Sequence, residues 1–159
     1  LLSSISITLG VVGLFFTFLS RKESLKLNEY TVLNGLMSRY SILIPELMKI
    51  NEGKVEDVRT YQTIINQYFI LSEEQLFYVG KQLRPERITL IWIRGMIKQI
   101  EIFKDKDLNN KGSVSIDDYL DGSMFPLIYL VWNHQIKNGN TKTNELTKII
   151  HEHINNSKD

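Results

Sequence analysis

One segment in the last third of the chain has the residue types and spacing of a calcium-binding loop. In DLNNKGSVSIDD, residues 107–118, oxygen-bearing side chains alternate as in an EF-hand, with Gly112 at the sharp turn. The candidate ligands are Asp107, Asn109, Ser113 and Asp118. Lys111 places a cation where an oxygen should point, and Asp118 is shorter than the usual glutamate. The alternative is a solvated helix–loop–helix connection with a turn glycine. Ser115, or Ser72 in an earlier segment, is expected to cap the helix that follows it.

The other titratable residues do not have the spacing of a catalytic or metal-binding set. His151 and His153 are two residues apart, so on a helix they point to nearly opposite sides and cannot easily share one ion. The neighbouring carboxylates at 73–74 and 117–118 diverge by about 100° on a helix, which argues against a paired acid and base. We therefore expect no enzyme activity and no cofactor.

The overall charge and the absence of cysteine exclude further classes of function. The 19 Lys and Arg residues nearly balance the 18 Asp and Glu residues, and the net charge is +1. This balance argues against nucleic acid as a partner, because the basic residues do not form one positive surface. Since the chain has no cysteine, thiolate metal sites, disulfides and cysteine nucleophiles are excluded.

The first twenty residues differ from the rest of the sequence. LLSSISITLGVVGLFFTFLS has no charged side chain, and every Lys, Arg, Asp and Glu lies after it. Twenty helical residues span roughly 30 Å, the thickness of the hydrocarbon core of a bilayer. Residues 1–20 are therefore predicted to form a transmembrane helix. A signal peptide or a buried core helix is the alternative, but the run is long for the first and the domain is small for the second.

Basic residues after this segment indicate its orientation. Arg21, Lys22 and Lys26 follow the apolar run directly, and positive residues favour the cytoplasmic side of a span. We therefore expect the remainder of the chain to be cytoplasmic. Because residue 1 is leucine and not methionine, we also expect the chain to be part of a longer protein.

Small residues are regularly spaced within the predicted span. They recur every three or four positions, at Ser3, Ser6, Gly10, Gly13, Thr17 and Ser20. Such a stripe lets two helix backbones approach each other in lipid, so the span is predicted to self-associate. The alternative is a chance arrangement, because small residues are common in membrane helices.

The remaining sequence indicates an all-α fold. Apolar residues recur at helical spacing, and the predicted helices cover residues 22–43, 55–80, 84–103, 116–138 and 143–155. Pro45 should end or kink the first of these, Gly80 should end the second, and Asp121, Gly122 and Pro126 interrupt the fourth. The predicted organisation is a span at 1–20, a juxtamembrane helix at 21–45, a helical bundle at 46–155 and a disordered tail at 156–159.

Residues 67–96, QYFILSEEQLFYVGKQLRPERITLIWIRGM, resemble a segment of single-pass bacterial membrane proteins with a small helical cytoplasmic domain. Some of those proteins are labelled phage abortive-infection proteins. The matching residues are Tyr68-Phe69, Glu73-Glu74, Phe77-Tyr78, Gly80, Trp92 and Gly95-Met96. The chain departs from the pattern at Leu71, where a cysteine is frequent, and at Tyr78-Val79, which replace a basic pair.

The resemblance implies a membrane anchor, a helical bundle and a role in antiphage defence at the bacterial inner membrane. We expect Trp92, Tyr68 and Phe69 to be large buried residues where two helices cross, and Gly95 to permit their close approach. The predicted function is that of a membrane-anchored interaction protein. Its expected partners are the lipid bilayer, a second copy bound through the span, and an unidentified protein. The alternative function is a calcium-responsive membrane-tethered switch that uses residues 107–118.

Overall fold

The described residues of the computed structural model form six helices. The backbone is described for residues 2–55, 57–81, 86–105, 115–139 and 143–157, and side chains from Leu19 onward except at 86–88, 90, 143 and 144. The helices are α1 (Leu2–Asn51), α2 (Val58–Gly80), α3 (Glu86–Asp105), α4 (Ile116–Tyr119), α5 (Pro126–Asn138) and α6 (Thr143–Asn156). No strand occurs in these ranges, and the predicted all-α class is confirmed.

The chain divides into two units, residues 1–35 and residues 36–159. In the first unit the described side chains from Leu19 to Asn28 are exposed, and the Thr31 hydroxyl donates a hydrogen bond to the Leu27 carbonyl. The backbone of residues 2–18 is helical, but their side chains lie outside the described part, and with them all of the small-residue stripe except Ser20. Ser20, the last residue of that stripe, is exposed.

No helix among the described residues combines the length and the apolar character that crossing a membrane requires.

Helix α1 does not end at Pro45, which was one of the two outcomes expected at this residue. The helix continues through this proline to Asn51. An interior proline costs about 3 kcal/mol. On either side of it Leu43, Leu47 and Ile50 are buried, and each buried aliphatic side chain stabilises the fold by about 1.5–3 kcal/mol. Burial of this face therefore outweighs the lost hydrogen bond.

Aromatic side chains from α2, α3, α4 and the residue that precedes α5 form the centre of the second unit. Tyr68 and Phe69 are buried as expected, and the Phe69 ring lies 4.8 Å from the Tyr119 ring and 5.4 Å from the Phe125 ring, measured between centroids. Phe103 of α3 lies 5.5 Å from Tyr68 in an edge-to-face arrangement. Trp92, also expected to be buried, is only half-buried, because it lies between exposed Ile91 and buried Ile93, at the edge of the buried face of α3.

The close helix approach lies at Gly80 and not at Gly95, which corrects the second expectation. A Cβ atom on Gly80 would lie 2.3 Å from Ile154 Cδ1 and 2.8 Å from Ile150 Cγ2, so α2 and α6 meet there. Gly95 is exposed, and no atom would lie within 4 Å of its added Cβ. Gly95 is therefore not at a helix crossing.

The predicted helix at 116–138 is interrupted where expected. Helix α4 ends at Tyr119 and α5 begins at Pro126. Between them, Ser123 donates backbone and hydroxyl hydrogen bonds to the Asp121 carboxylate, both 2.7 Å long, and Gly122 has a φ of 87°. A positive φ favours glycine, so this residue suits the turn. Helix α6 extends to Asn156, and residues 158 and 159 of the predicted tail lie outside the described part.

Candidate functional site

The described part of the predicted calcium loop forms a helix cap. Three of its candidate ligands, Asp107, Asn109 and Ser113, lie outside the described residues. The fourth, Asp118, accepts a hydrogen bond of 2.7 Å from the Ser115 backbone N–H, while Ser115 Oγ accepts one of 3.2 Å from the Asp117 N–H. These reciprocal bonds form a capping box at the start of α4. Of the two serines expected to cap a helix, Ser115 is confirmed, whereas Ser72 lies in the interior of α2 and that expectation is wrong.

The side chain of His151, on α6, contacts the end of another helix, α2. His151 Nδ1 lies 2.6 Å from the Gly80 carbonyl oxygen, which can only accept, so this nitrogen carries the proton. His151 Nε2 accepts a hydrogen bond of 2.9 Å from Asn155. Both ring nitrogens thus have a hydrogen-bond partner, and the imidazole binds the last carbonyl group of α2. Where side chains are described, no cluster of three or more histidine, aspartate or glutamate residues could hold a metal ion.

Glu73 caps a helix that is distant in sequence. Its two carboxylate oxygens accept hydrogen bonds of 2.9 and 3.0 Å from the backbone N–H groups of Leu127 and Ile128, in the first turn of α5. Phe125, at the N-cap position, has no side-chain oxygen, and Pro126 has no N–H. The start of α5 therefore depends on a carboxylate from α2.

Burial of Glu73 changes its acidity. The loss of hydration raises the pKa of its carboxyl above 4.5, and the two backbone N–H donors and His153 oppose this shift only in part. The side chain of the neighbouring Glu74 points in another direction. Its two carboxylate oxygens accept hydrogen bonds from the two terminal guanidinium nitrogens of Arg39, on α1. The two carboxylates diverge as predicted and do not form one acid–base pair.

A groove of about 370 Å³ lies between α1 and α2. Its lining residues come from both helices and are Arg39, Ile42, Leu43, Glu46, Gln67, Ile70 and Leu71. Leu43 and Leu71 are buried at its base, whereas Ile42 and Ile70 are exposed along its edges. The groove thus presents apolar surface to its surroundings.

Two ion pairs border this groove. Arg39 pairs with Glu74, and Glu46 lies 2.7 Å from Lys49, with all four side chains partly exposed. Apolar surface with a charged rim is the anatomy of a protein-binding surface. This surface was not predicted from the sequence, although one signal was present. Ile42 is apolar but lies outside the helical stripe formed by buried Leu36, Leu43 and Leu47.

Comparison with protein-family models, with curated proteins and with solved structures finds no match to this chain.

Proposed function

We propose that this chain is a membrane-anchored helical interaction protein, held in the bacterial inner membrane by residues 1–20 with its bundle in the cytoplasm. The observation that carries the proposal is the uncharged opening segment, which is as long as a bilayer core is thick. It is followed at once by Arg21, Lys22 and Lys26, which favour a cytoplasmic bundle. One uninterrupted helix, α1, contains both the opening segment and these basic residues.

Self-association through the span is the second part of the proposal. The stripe that begins at Ser3 and ends at Ser20 keeps one side of the helix free of large side chains. Two such helices can approach closely in lipid, where packing of small residues drives association. The bundle would then be presented to a partner protein as a membrane-bound pair.

Antiphage defence is the biological setting that we propose. Support comes from the resemblance of residues 67–96 to the bacterial membrane proteins described above. The expected result is that cells producing the full chain reduce the plating of at least one phage, whereas cells producing a variant with a disrupted span do not. Equal plating on both across a broad phage panel would contradict this setting.

The membrane anchor is tested by fractionation of the full chain. After an alkaline wash and ultracentrifugation, the protein should remain in the membrane pellet and be released by detergent. Val12→Lys should shift it to the supernatant, because a lysine at the centre of a span costs about 2.5–3.5 kcal/mol. Val12→Leu is the matched control and should stay in the pellet. A wild-type chain that stays dissolved without detergent would overturn the proposal.

Span association is tested separately by cross-linking in membranes. Gly10→Leu with Gly13→Leu should reduce the cross-linked dimer while leaving insertion intact, because both changes place large side chains on the small-residue stripe. Val11→Leu with Val12→Leu, off the stripe, should leave the dimer unchanged. Equal cross-linking in all three proteins would show that the stripe is incidental.

A further inference from the structure

We propose that two copies of this chain also pair outside the membrane, through a parallel coiled-coil seam formed by Met37, Ser41, Ile44 and Met48 of each copy. This inference rests on the proposed function for its direction. Two copies anchored by residues 1–20 in one membrane, with both bundles in the cytoplasm, have α1 helices that run in the same direction, because α1 is one continuous helix. In a parallel pair each residue faces its own counterpart, so a pairing surface that avoids repulsion carries no charge.

The four seam residues have the spacing of a coiled coil and are exposed. They follow one another at intervals of four, three and four residues, as core positions of a two-stranded coil do. Met37, Ile44 and Met48 are 48%, 40% and 54% exposed, and Ser41 is exposed as well. In a left-handed coil, positions seven residues apart stay on one side of the helix. Met37 with Ile44, and Ser41 with Met48, therefore form the two rows of one seam.

The charged residues of this part of α1 lie away from the seam. Arg39 and Glu46 border the groove toward α2, where they are held in ion pairs with Glu74 and Lys49. The residues that flank the seam are all uncharged, and they are Ser38, Tyr40, Pro45 and Leu47. A parallel pair through the seam brings no like charges together, whereas a parallel pair through the groove would place each Arg39 near the partner's Arg39. The charge distribution therefore favours the seam and leaves the groove open.

The preceding sequence has the same spacing. Leu27, Tyr30 and Asn34 come before Met37 at intervals of three, four and three residues. Leu27 and Tyr30 are 69% and 63% exposed. An asparagine at one core position fixes the register and the number of chains in a coiled coil.

This spacing is shared with the small-residue stripe of the span. Ser6, Gly13 and Ser20 precede Leu27 by multiples of seven residues, and Ser41 and Met48 follow it by further multiples of seven. The stripe and the seam thus belong to one heptad register. The second copy that pairs through the stripe is for this reason the occupant that the seam fits.

Disulfide trapping in isolated membranes tests the seam, because the natural chain has no cysteine. Ser41→Cys and Ile44→Cys should each form a disulfide-linked dimer on mild oxidation. Ile42→Cys is the matched control and should stay largely monomeric. Ile42 is 73% exposed, but it lies two residues from Ile44 and does not share a face with it. A dimer of the Ile42→Cys chain as abundant as that of the Ile44→Cys chain would overturn the proposal.

Opposite charges at one seam position test the direction of the helices without oxidation. The background is the full chain with Gly10→Leu and Gly13→Leu, so that association of the span contributes little. Ile44→Glu alone and Ile44→Lys alone should each weaken dimerisation at least about tenfold, because like charges face each other in a parallel pair. A mixture of the two, carrying different tags, should recover the dimer in co-purification from detergent. Recovery in the mixture excludes a loss of folding, and a mixture no better than either variant alone would overturn the proposal.

A cysteine at the end of the span separates this proposal from the proposed function. Cross-linking at Ser20→Cys but at neither Ser41→Cys nor Ile44→Cys would overturn the seam and leave the paired span in place. Cross-linking at Ile44→Cys that persists with Gly10→Leu and Gly13→Leu would support the seam even where association of the span fails. Fractionation decides the membrane anchor independently of both results.

Discussion

Helices α2 and α5 each begin at a carboxylate that accepts backbone N–H groups, but the carboxylates come from different places. Asp57 directly precedes α2, is exposed, and accepts hydrogen bonds of 2.7 Å from both the backbone N–H and the hydroxyl of Thr60. Glu73 reaches α5 from another helix, 54 residues away along the chain, and is half-buried. The same type of hydrogen bond therefore caps α2 through a neighbouring residue and α5 through a residue of another helix.

The pKa values of the two carboxyls move in opposite directions. Hydrogen bonds from Thr60 stabilise the charged form of Asp57 and lower its pKa. Loss of hydration, which would raise the pKa, is small because this carboxylate is exposed. Burial raises the pKa of Glu73 despite its two backbone donors. The comparison teaches that the cap of α2 forms from neighbouring residues alone, whereas the start of α5 is capped only while α2 is packed against it.

The C-terminal end of α2 also depends on a contact with another helix, α6. A substitution at this contact should have the largest effect on stability. Gly80→Ala should lower the free energy of unfolding by about 3 kcal/mol, because the added methyl group has no room between Ile150 and Ile154. The approach of α6 that lets His151 bind the Gly80 carbonyl would be lost with it. Urea unfolding followed by tryptophan fluorescence measures the change.

Gly95→Ala is the matched control for this variant. Its added methyl group meets open space within α3, so it should raise stability by about 0.5–1 kcal/mol through helix propensity. A Gly80→Ala protein as stable as Gly95→Ala would show that α2 and α6 do not meet closely at Gly80.

Removing the tertiary cap of α5 is the next largest effect. Glu73→Ala should cost about 2 kcal/mol, because it leaves two backbone N–H groups in the first turn of α5 without an acceptor. The adjacent Glu74→Ala removes only an exposed ion pair with Arg39 and should change stability by about 0.5 kcal/mol at most. Equal losses in the two variants would contradict the cap.

The difference between local and tertiary caps explains which structural features could be predicted from the sequence. Ser115 as a cap, Gly80 as a helix end and the interruption at Asp121 and Gly122 were all predictable, because each depends on residues close along the chain. The hydrogen bond from His151 to Gly80, 71 residues apart, exists only once α2 and α6 are packed. No local pattern contains that information.

The errors have the same origin. Gly80 and Gly95 both lie in helical segments with apolar neighbours, and sequence alone does not tell which of them faces another helix. Ile42 likewise breaks the buried stripe of α1, but its position beside a groove depends on where α2 lies. The fold class was therefore predictable, whereas the candidate surface was not.

A local cap should have a smaller effect than either tertiary contact. Ser115→Ala removes the hydroxyl oxygen that accepts the Asp117 N–H and should cost about 1 kcal/mol. Urea unfolding of this variant beside Glu73→Ala compares the two kinds of cap. If Ser115→Ala were the more damaging change, the distinction drawn between α4 and α5 would be wrong.

The pH dependence should separate the two carboxylate caps by sign. Because the folded pKa of Glu73 is raised above 4.5, protonation of this carboxyl favours the folded state, and this proton-linked part of its contribution is fully present below that pH and is lost as pH rises through the folded pKa. The pKa of Asp57 is lowered below 3.8, so its contribution is present above that pH and is lost as pH falls through the folded pKa. On acidification, wild type should therefore gain stability relative to Glu73→Gln and lose it relative to Asp57→Asn.

Urea titrations of the three proteins between about pH 3 and pH 7 measure these differences. The two difference curves should slope in opposite directions. Curves of the same slope would mean that burial does not distinguish the caps.

Calcium should have the smallest effect of all. Asp118 already accepts the Ser115 N–H at 2.7 Å, and a calcium ion that recruits this carboxylate must compete with the capping box. Lys111 adds a positive charge to the same loop. We therefore expect millimolar calcium to leave the unfolding midpoint unchanged and calorimetry to record no binding heat. A rise in the midpoint that disappears in Asp107→Asn would instead favour the calcium-responsive switch, since Asp107 is the first candidate ligand of the predicted loop.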